Sequence, residues 1–283
     1  MRASVRNPDG SRNSTGIRLE RLLEDQNEIH SLVLVAALAA TLLWEIRFPR
    51  RDPAAPRTRR WRVNFLLMVV NMAVLYAVVP ITTVALALVV KNAGLGLFNR
   101  VEMPFVLACV LGALLMDLAR YGQHLAMHRI PLLWRIHRVH HADPDLDVTT
   151  SLRFHPIETI IGLLTDALVI VVFGVPALAV VLYRLARVAA STMVHGNVRV
   201  PAAVDAVLRL MIVTPDMHRI HHSVLEHEQG RNLGGGLSWW DHLFGTYVAD
   251  PASDYRTMPL GLSGYPEARA SSLRAALADP FVK

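Results

Sequence analysis

Cysteine is all but absent from this chain. Its one thiol, Cys109, sits in the apolar run "MPFVLACVLGALLM" of a 283-residue sequence, so there is no disulfide framework and no thiolate zinc site can be assembled. Any metal must be held by histidine or carboxylate. Charge is sparse as well: 18% of residues are Asp, Glu, Lys or Arg against 53% hydrophobic, short of the roughly 25% charged usual in a soluble domain. With a positive mean hydropathy, the composition points to a membrane. The net charge of +6 carries no RNA- or DNA-binding signature, so no nucleic-acid partner is expected and the arginine excess reads as membrane topology. No H-E-x-x-H run exists, which removes a zinc peptidase.

Apolar runs divide the chain. Residues 1–28 are polar, with five arginines, and read as a polar or disordered segment. Such a lead is longer than the n-region of a secretory signal, so no signal peptide is expected. Residues 29–48 form the first apolar run, with His30 and Glu45 near its ends; it is either a weak span or an interfacial helix. The stretch "RFPRRDPAAPRTRRWR" then places seven arginines and three prolines between 47 and 62, and the positive-inside rule predicts that it stays cytoplasmic. A spanning first run would put the N-terminal arginines on the opposite side, against the same rule. Residues 63–90 predict a span kinked at Pro80, and residues 103–118 predict its return after a turn around Gly94 and Gly96. Residues 157–173 and 177–190 flank "GVP" and predict a helical hairpin that brings His195 to the face carrying residues 124–141. Residues 205–250 are amphipathic and Gly-rich.

Histidine is what the chain has in excess. "HLAMHRIPLLWRIHRVHH" carries His124, His128, His137, His140 and His141; "HRIHH" carries His218, His221 and His222 and repeats the H-x-x-H-H spacing; His195 stands in "HGN". On a helix, residues four apart lie about 40° from each other and residues three apart about 60°. His124 and His128 therefore share a face, as does His137 with His140 or His141. Neutral imidazole suits iron, zinc, copper and nickel, whereas magnesium and calcium want oxygen. These nine imidazoles exceed the needs of one ion, so two metals are predicted. Haem would need histidine pairs deep within spanning helices, and these flank polar sequence at helix ends.

A ligating imidazole commonly donates its other N–H to a carboxylate or carbonyl. Asp117, two turns ahead of His124, together with Asp143, Glu158, Asp216 and Asp241, could accept it, and Asn197 and Asn232 are further polar candidates beside the histidines. For each a cap or surface role competes; Asp216 in "TPDMH" reads equally as an N-cap. His155 in "FHPIE" supports a ligand or is one. Trp239, Trp240 and Phe244 read as cap core or interface anchors.

In order, "DLARYGQHLAMHRIPLLWRIHRVHH", "SLRFHPIE", "HGN", "PDMHRIHHS" and "NLGGGLSWWDHLFGTY" resemble the signature of the fatty acid hydroxylase/sterol desaturase superfamily of integral-membrane di-iron enzymes. The resemblance covers residues 103–247, half the chain. It implies an all-α, multi-pass integral-membrane fold, with several transmembrane helices below a cytosolic helical cap and a histidine-rich di-metal site on the cytoplasmic side. The implied division is a polar N-terminal segment at 1–28, a membrane-embedded hydroxylase/desaturase-like catalytic domain at 29–250, and a soluble C-terminal tail at 251–283 with a short amphipathic helix at 267–277. Carried onto this sequence, the metal ligands are His124, His128, His137, His140, His141, His195, His218, His221 and His222, and no catalytic side chain is implied beyond the metal centre. The implied cofactors are two iron ions, which zinc can displace, with O2 as cosubstrate. The implied reaction is hydroxylation, or oxidation or desaturation, of a C–H bond in a fatty-acyl, sterol-like or ether lipid drawn from the bilayer. No fused haem or iron–sulfur module is visible, so a separate electron donor is expected: a cytochrome b-type protein, a ferredoxin or a reductase. Some hydroxylases of the superfamily carry H-x-x-x-H where this chain has "HGNVR"; Arg199 removes the tenth ligand and argues against the ceramide-type fatty acid hydroxylases. The rival reading is a histidine-rich membrane metal-binding or structural zinc protein without oxygen chemistry.

Overall fold

The computed structural model describes residues 25–282; residues 1–24, most of the polar N-terminal segment, lie outside them. Regular structure among the described residues is helical. The first seven helices are α1 (Gln26–Arg47), α2 (Arg57–Val78), α3 (Thr83–Asn92), α4 (Phe105–Arg129), α5 (Pro131–His141), α6 (Pro156–Phe173) and α7 (Ala177–His195). Five stretches are long and apolar enough to cross a membrane: α1, α2 with α3, α4, α6 and α7. The chain is a multi-pass membrane protein. The 18 residues of α6 extend about 27 Å, close to the roughly 30 Å of a hydrocarbon core.

Helix ends follow local chemistry. Pro131, Pro156 and Pro215 each open a helix, where the missing N–H costs nothing. Residues 63–90, expected as one kinked span, divide instead. Val79 is extended (φ −100°, ψ 101°), and Thr82 caps a fresh helix by accepting from the Ala85 amide. Pro80 provides no amide and drives the residue before it out of the helical region. At the "GVP" turn, Gly174 ends α6 with φ 70°. Gly96, with φ 85°, packs so closely on the Gly174 backbone that it could not carry a side chain, and a Cβ on Gly174 would strike the Asn99 side chain. These two turns meet at one end of the bundle, so α4 and α7 deliver His128 and His195 to the other end, where α6 begins.

The core between the spans holds Val84, Val90, Met116, Ile170, Val180 and Tyr183. Outward-facing Val106, Leu164, Leu168 and Leu182 stay exposed, the surface that lipid covers. Beyond the spans lie α8 (Ala202–Leu208), α9 (Pro215–His221), α10 (Glu226–Gln229), α11 (Trp239–Leu243), α12 (Glu267–Ala270) and α13 (Leu273–Ala278). The last of these is docked: Ala276 packs on Val63, Leu67 and Val139, and Arg138 Nε donates to Asp279 Oδ2 at 2.6 Å.

The arginine-rich stretch does more than set topology, because Arg51 and Arg60 are buried. Arg60 pairs with Asp143 and, at 2.8 Å, with Asp147, while Arg51 pairs with Asp145 at 2.8 Å. Burial pushes the Asp143 carboxyl up, but Arg60 and Arg153 outweigh it and hold it below the usual carboxylate range. These pairs tether the loop that follows His141. Arg60→Ala strands two buried carboxylates, and a broken buried pair costs about 3–5 kcal/mol. Its detergent-solubilised form should unfold at a clearly lower temperature than wild type; an unchanged midpoint contradicts this role.

Candidate metal centre

The nine histidines singled out by spacing converge in two adjoining groups. His124, His128, His137, His141 and His221 form one, and His140, His195, His218 and His222 the other; in each group the candidate nitrogens lie within 4.8 Å of one another. The groups touch where the rings of His141 and His222 stack at 4.5 Å.

Helix geometry accommodates the division. In H-x-x-H-H, the first and third histidines are four apart and share a face, and the middle one lies about 100° from the third. From α5, His137 and His141 enter the first group and His140 the second. From α9 and its C-cap the assignment is reversed: His218 and His222 enter the second group and His221 the first. Each repeat thus supplies a pair to one group and a single nitrogen to the other. The α4 pair, His124 and His128, completes the first group, and His195, the last residue of α7, completes the second.

Five rings have their Nδ1 committed. His124 donates to the Leu233 carbonyl at 2.7 Å, His140 to that of Arg153 at 3.1 Å, His195 to that of Ser191 at 2.6 Å, His221 to that of Arg231 at 2.9 Å, and His137 to Glu158 Oε1 at 2.8 Å. A carbonyl or carboxylate can only accept, so Nδ1 bears the proton and Nε2 is left with a bare lone pair. Yet Nε2 of His124 faces Nε2 of His137 at 3.0 Å, and Nε2 of His140 faces that of His195 at 3.1 Å. No proton is available to bridge either pair. The Nε2 atoms of His128 and His221 and both ring nitrogens of His141 are buried without any partner. Lone pairs aimed at each other in a buried space fit a cation. An all-nitrogen set suits a borderline transition metal over magnesium or calcium.

The supporting residues depart from expectation in instructive ways. Glu158 orients His137 as proposed. Asp241 acts one step back: it accepts from the Leu233 and Gly234 amides at 2.7 and 2.9 Å, fixing the carbonyl that receives His124. Asp117 accepts from the Leu237 amide and Trp240 Nε1 and touches no histidine. Asn232, at φ 50°, sets the turn by bonding Met217 and Val248. Asn197 bonds Arg51 and Arg219, and Asp143 bonds Arg60 and Asn64. Asp216 is not the N-cap of α9; Thr214 is, and Asp216 pairs with Arg50 at 2.8 Å. His155 stands outside both groups, because its Nδ1 caps α6 by accepting from Ile157 and its Nε2 donates to the Leu277 carbonyl. Trp239 and Phe244 are exposed, which removes the cap-core alternative and leaves that of interface anchors. Spacing gave no sign of Glu45, which is buried and accepts from the Val148 and Asn197 amides, or of the carbonyl partners. Glycine explains how "LGGG" fits: a Cβ on Gly234 or Gly236 would lie 2.8 Å from a carboxylate oxygen of Asp241 or Asp117.

A cavity of about 230 Å³ opens on both groups, lined by His124, His137, His140, His195 and His218 together with residues of α4, α6 and α7. An all-helical membrane bundle with paired histidine clusters at one end defines a class, and the comparisons agree. Residues 109–246 match the fatty acid hydroxylase family, and this match together with the relatives below supports the fatty acid hydroxylase superfamily. Over 180 residues it is 29% identical to "Ornithine lipid hydroxylase OlsE" of Rhizobium tropici, covering 64% of this chain and 52% of that protein. It is 27% identical over 140 residues to alkylglycerol monooxygenase of Caenorhabditis elegans, covering 49% and 26%, and 26% identical over 140 residues to that of Homo sapiens, covering 47% and 29%. The chain thus spans about half or less of the length of these relatives. No solved structure matches.

The geometry generates two predictions. His140→Ala and His221→Ala should each lower the metal content of folded protein, measured by elemental analysis after iron loading. His155→Ala should bind as much metal as wild type and lose about 1 kcal/mol of stability as a missing cap; metal loss there would place it inside the centre. The second concerns pH. Burial first, then neighbouring imidazoles, hold His140, His141, His218 and His222 well below the ordinary imidazole range, and His221 is lowered to about 3. Unfolded chains take up these protons near pH 6.5, so the folded form is fully favoured above that pH and loses ground as pH falls from there towards 3. Chelator-treated protein should unfold at progressively lower temperature between pH 7 and pH 5, and a flat profile would contradict the burial of neutral imidazoles.

Proposed function

We propose that this protein is an O2-dependent membrane oxidoreductase that hydroxylates a C–H bond of a bilayer lipid, with two iron ions held by the five- and four-histidine groups. The observation that carries the reading is the pairing of unprotonated Nε2 atoms in two adjoining groups that share one cavity. When bound, the metal pair supplies the redox chemistry, the reduction of O2 and removal of hydrogen from an unactivated carbon. The chain supplies position and environment. The five anchored Nδ1–H groups hold their rings in one tautomer, so each Nε2 is presented as a donor with little reorganisation. Glu158, accepting from His137, makes that imidazole a stronger donor. Phe154 stacks on His140 at 4.5 Å and, with Met127, Leu163 and Val194, gives the cavity an apolar wall that holds an alkyl segment and excludes water.

Hydroxylation is favoured over desaturation because the relatives are named a lipid hydroxylase and a monooxygenase; ornithine-type or ether lipids are the substrates their names suggest. The seven-arginine stretch that runs from the end of α1 into the start of α2 lies at the histidine end of the bundle, which supports a cytoplasmic centre by the positive-inside rule. Electrons come from a separate donor protein on that side. The test is anaerobic ferrous loading of the purified chain, followed by O2 and a chemical reductant in the presence of lipid extract. Two irons per chain and O2 uptake matched by hydroxylated lipid are expected. Tightly held zinc with no O2 uptake after iron exchange would favour the structural-zinc reading.

A further inference from the structure

The cavity beside the histidines also carries two arginines, Arg120 on α4 and Arg187 on α7. Arg120 is fully engaged: Nε and Nη2 each donate to Asp166 at 2.8 Å, and Nη1 donates to Gln123 at 3.1 Å. Gly162 makes this pair fit, since any side chain there would strike the Arg120 guanidinium. The acids on the wall are each engaged through one oxygen, and Glu158 Oε2 is buried without a partner. Asp117 Oδ2 accepts from the Leu237 amide and Trp240 Nε1, and Glu158 Oε1 accepts from His137. Arg187 differs. Among the described residues it makes no ion pair and no hydrogen bond, and it faces Gly235, where even an added Cβ would remain 3.9 Å from Nη1. Within a bundle of membrane-crossing helices an unpaired cation is costly, and such residues mark the path of a substrate or ion.

We propose that Arg187 recognises an anionic group on the substrate, a carboxylate or phosphate carried by the lipid, and so selects anionic over neutral amphiphiles. The proposal rests on the lipid-oxidising reading above. A guanidinium fork matches the two oxygens of either group. Arg187 lies eight residues before His195 on the same helix, about 12 Å along its axis. An anion held there leaves the adjoining carbons of the lipid beside the histidine groups, so oxidation falls near the anionic end of the molecule.

The test uses the iron-loaded full chain in detergent and four labelled amphiphiles of equal chain length: a carboxylate, an alkyl phosphate, the methyl ester of the carboxylate and an alkylglycerol. Wild type should bind at least one of the two anions roughly 10- to 100-fold more tightly than the methyl ester or the alkylglycerol, the range expected of a charge-assisted hydrogen-bonded contact. Preference for one anion over the other identifies which group the site takes. Arg187→Gln should erase the difference while iron content stays at the wild-type value, and Arg187→Lys should restore part of it. Equal affinity of wild type for all four probes overturns the proposal even if no variant folds, as does an anion preference that survives in Arg187→Gln. Oxidation of each bound probe is scored separately. Anion-selective binding without oxidation keeps this site and removes the proposed reaction, whereas oxidation without anion preference removes this site and keeps the reaction.

Discussion

Two imidazole nitrogens that face each other at 3.0 or 3.1 Å with no proton between them repel, and the centre of this molecule contains that arrangement in both histidine groups. Relief comes from a proton or from a metal cation. Protonation is opposed, because burial and the nearness of other imidazoles keep rings such as His141 and His222 neutral. A divalent ion relieves several lone pairs at once. The surrounding structure holds the rings in place against that repulsion, and it does so mainly through backbone carbonyls at Leu233, Arg153, Ser191 and Arg231.

Those carbonyls must themselves be fixed, which is where the buried charges enter. Arg153 offers its carbonyl to His140 while its guanidinium donates to the Val139 carbonyl, Asn64 Oδ1 and the Ala270 carbonyl. One residue thereby joins α2, α5 and the C-terminal helices to a ring of the second group. The same neighbourhood holds the Arg60, Asp143 and Asp147 pairs directly after His141. Charges this deep are expensive to desolvate and stay only where every partner is supplied. Their presence beside the histidines is consistent with a need for fixed geometry more than for net stability.

Much of the centre was legible in the sequence because histidines that share a helix face recur at helical spacing. The nine side chains that spacing and resemblance selected are the nine that converge. Their division into five and four was not legible: spacing leaves His137 paired with either His140 or His141, and the choice depends on the angle at which α4, α7 and α9 approach. Carbonyl partners could not be read at all, since any residue type provides one. Carboxylates were readable only where one bonds a histidine directly. Glu158 was found, but Asp216 answers to Arg50 across 166 positions, and Asp241 works through the amide of Leu233. The helices followed hydropathy closely except at Pro80, where a break was expected as a kink, because the energy of restarting at Thr82 depends on a cap that the apolar pattern hides.

The four-histidine group raises the question of why a tenth ligand is missing, and the backbone answers it. The substitution at Arg199 is only part of the reason. The α7 helix ends at His195, and Gly196 turns the chain to φ −59°, ψ 138°. From there the strand-like segment pairs with the chain leaving α1: Arg50 N donates to the Asn197 carbonyl, Arg199 N donates to the Phe48 carbonyl, and Pro49 bridges Val198. Position 199 is therefore not one helical turn beyond His195, and a histidine placed there would not share its face. A tenth ligand at this point requires α7 to continue for another turn, which the pairing with residues 48–50 prevents. The second group is held to four nitrogens by main-chain geometry, and His140, His195 and His218, three of those four, line the cavity. The smaller histidine group is thus the one with more of its rings on the cavity wall.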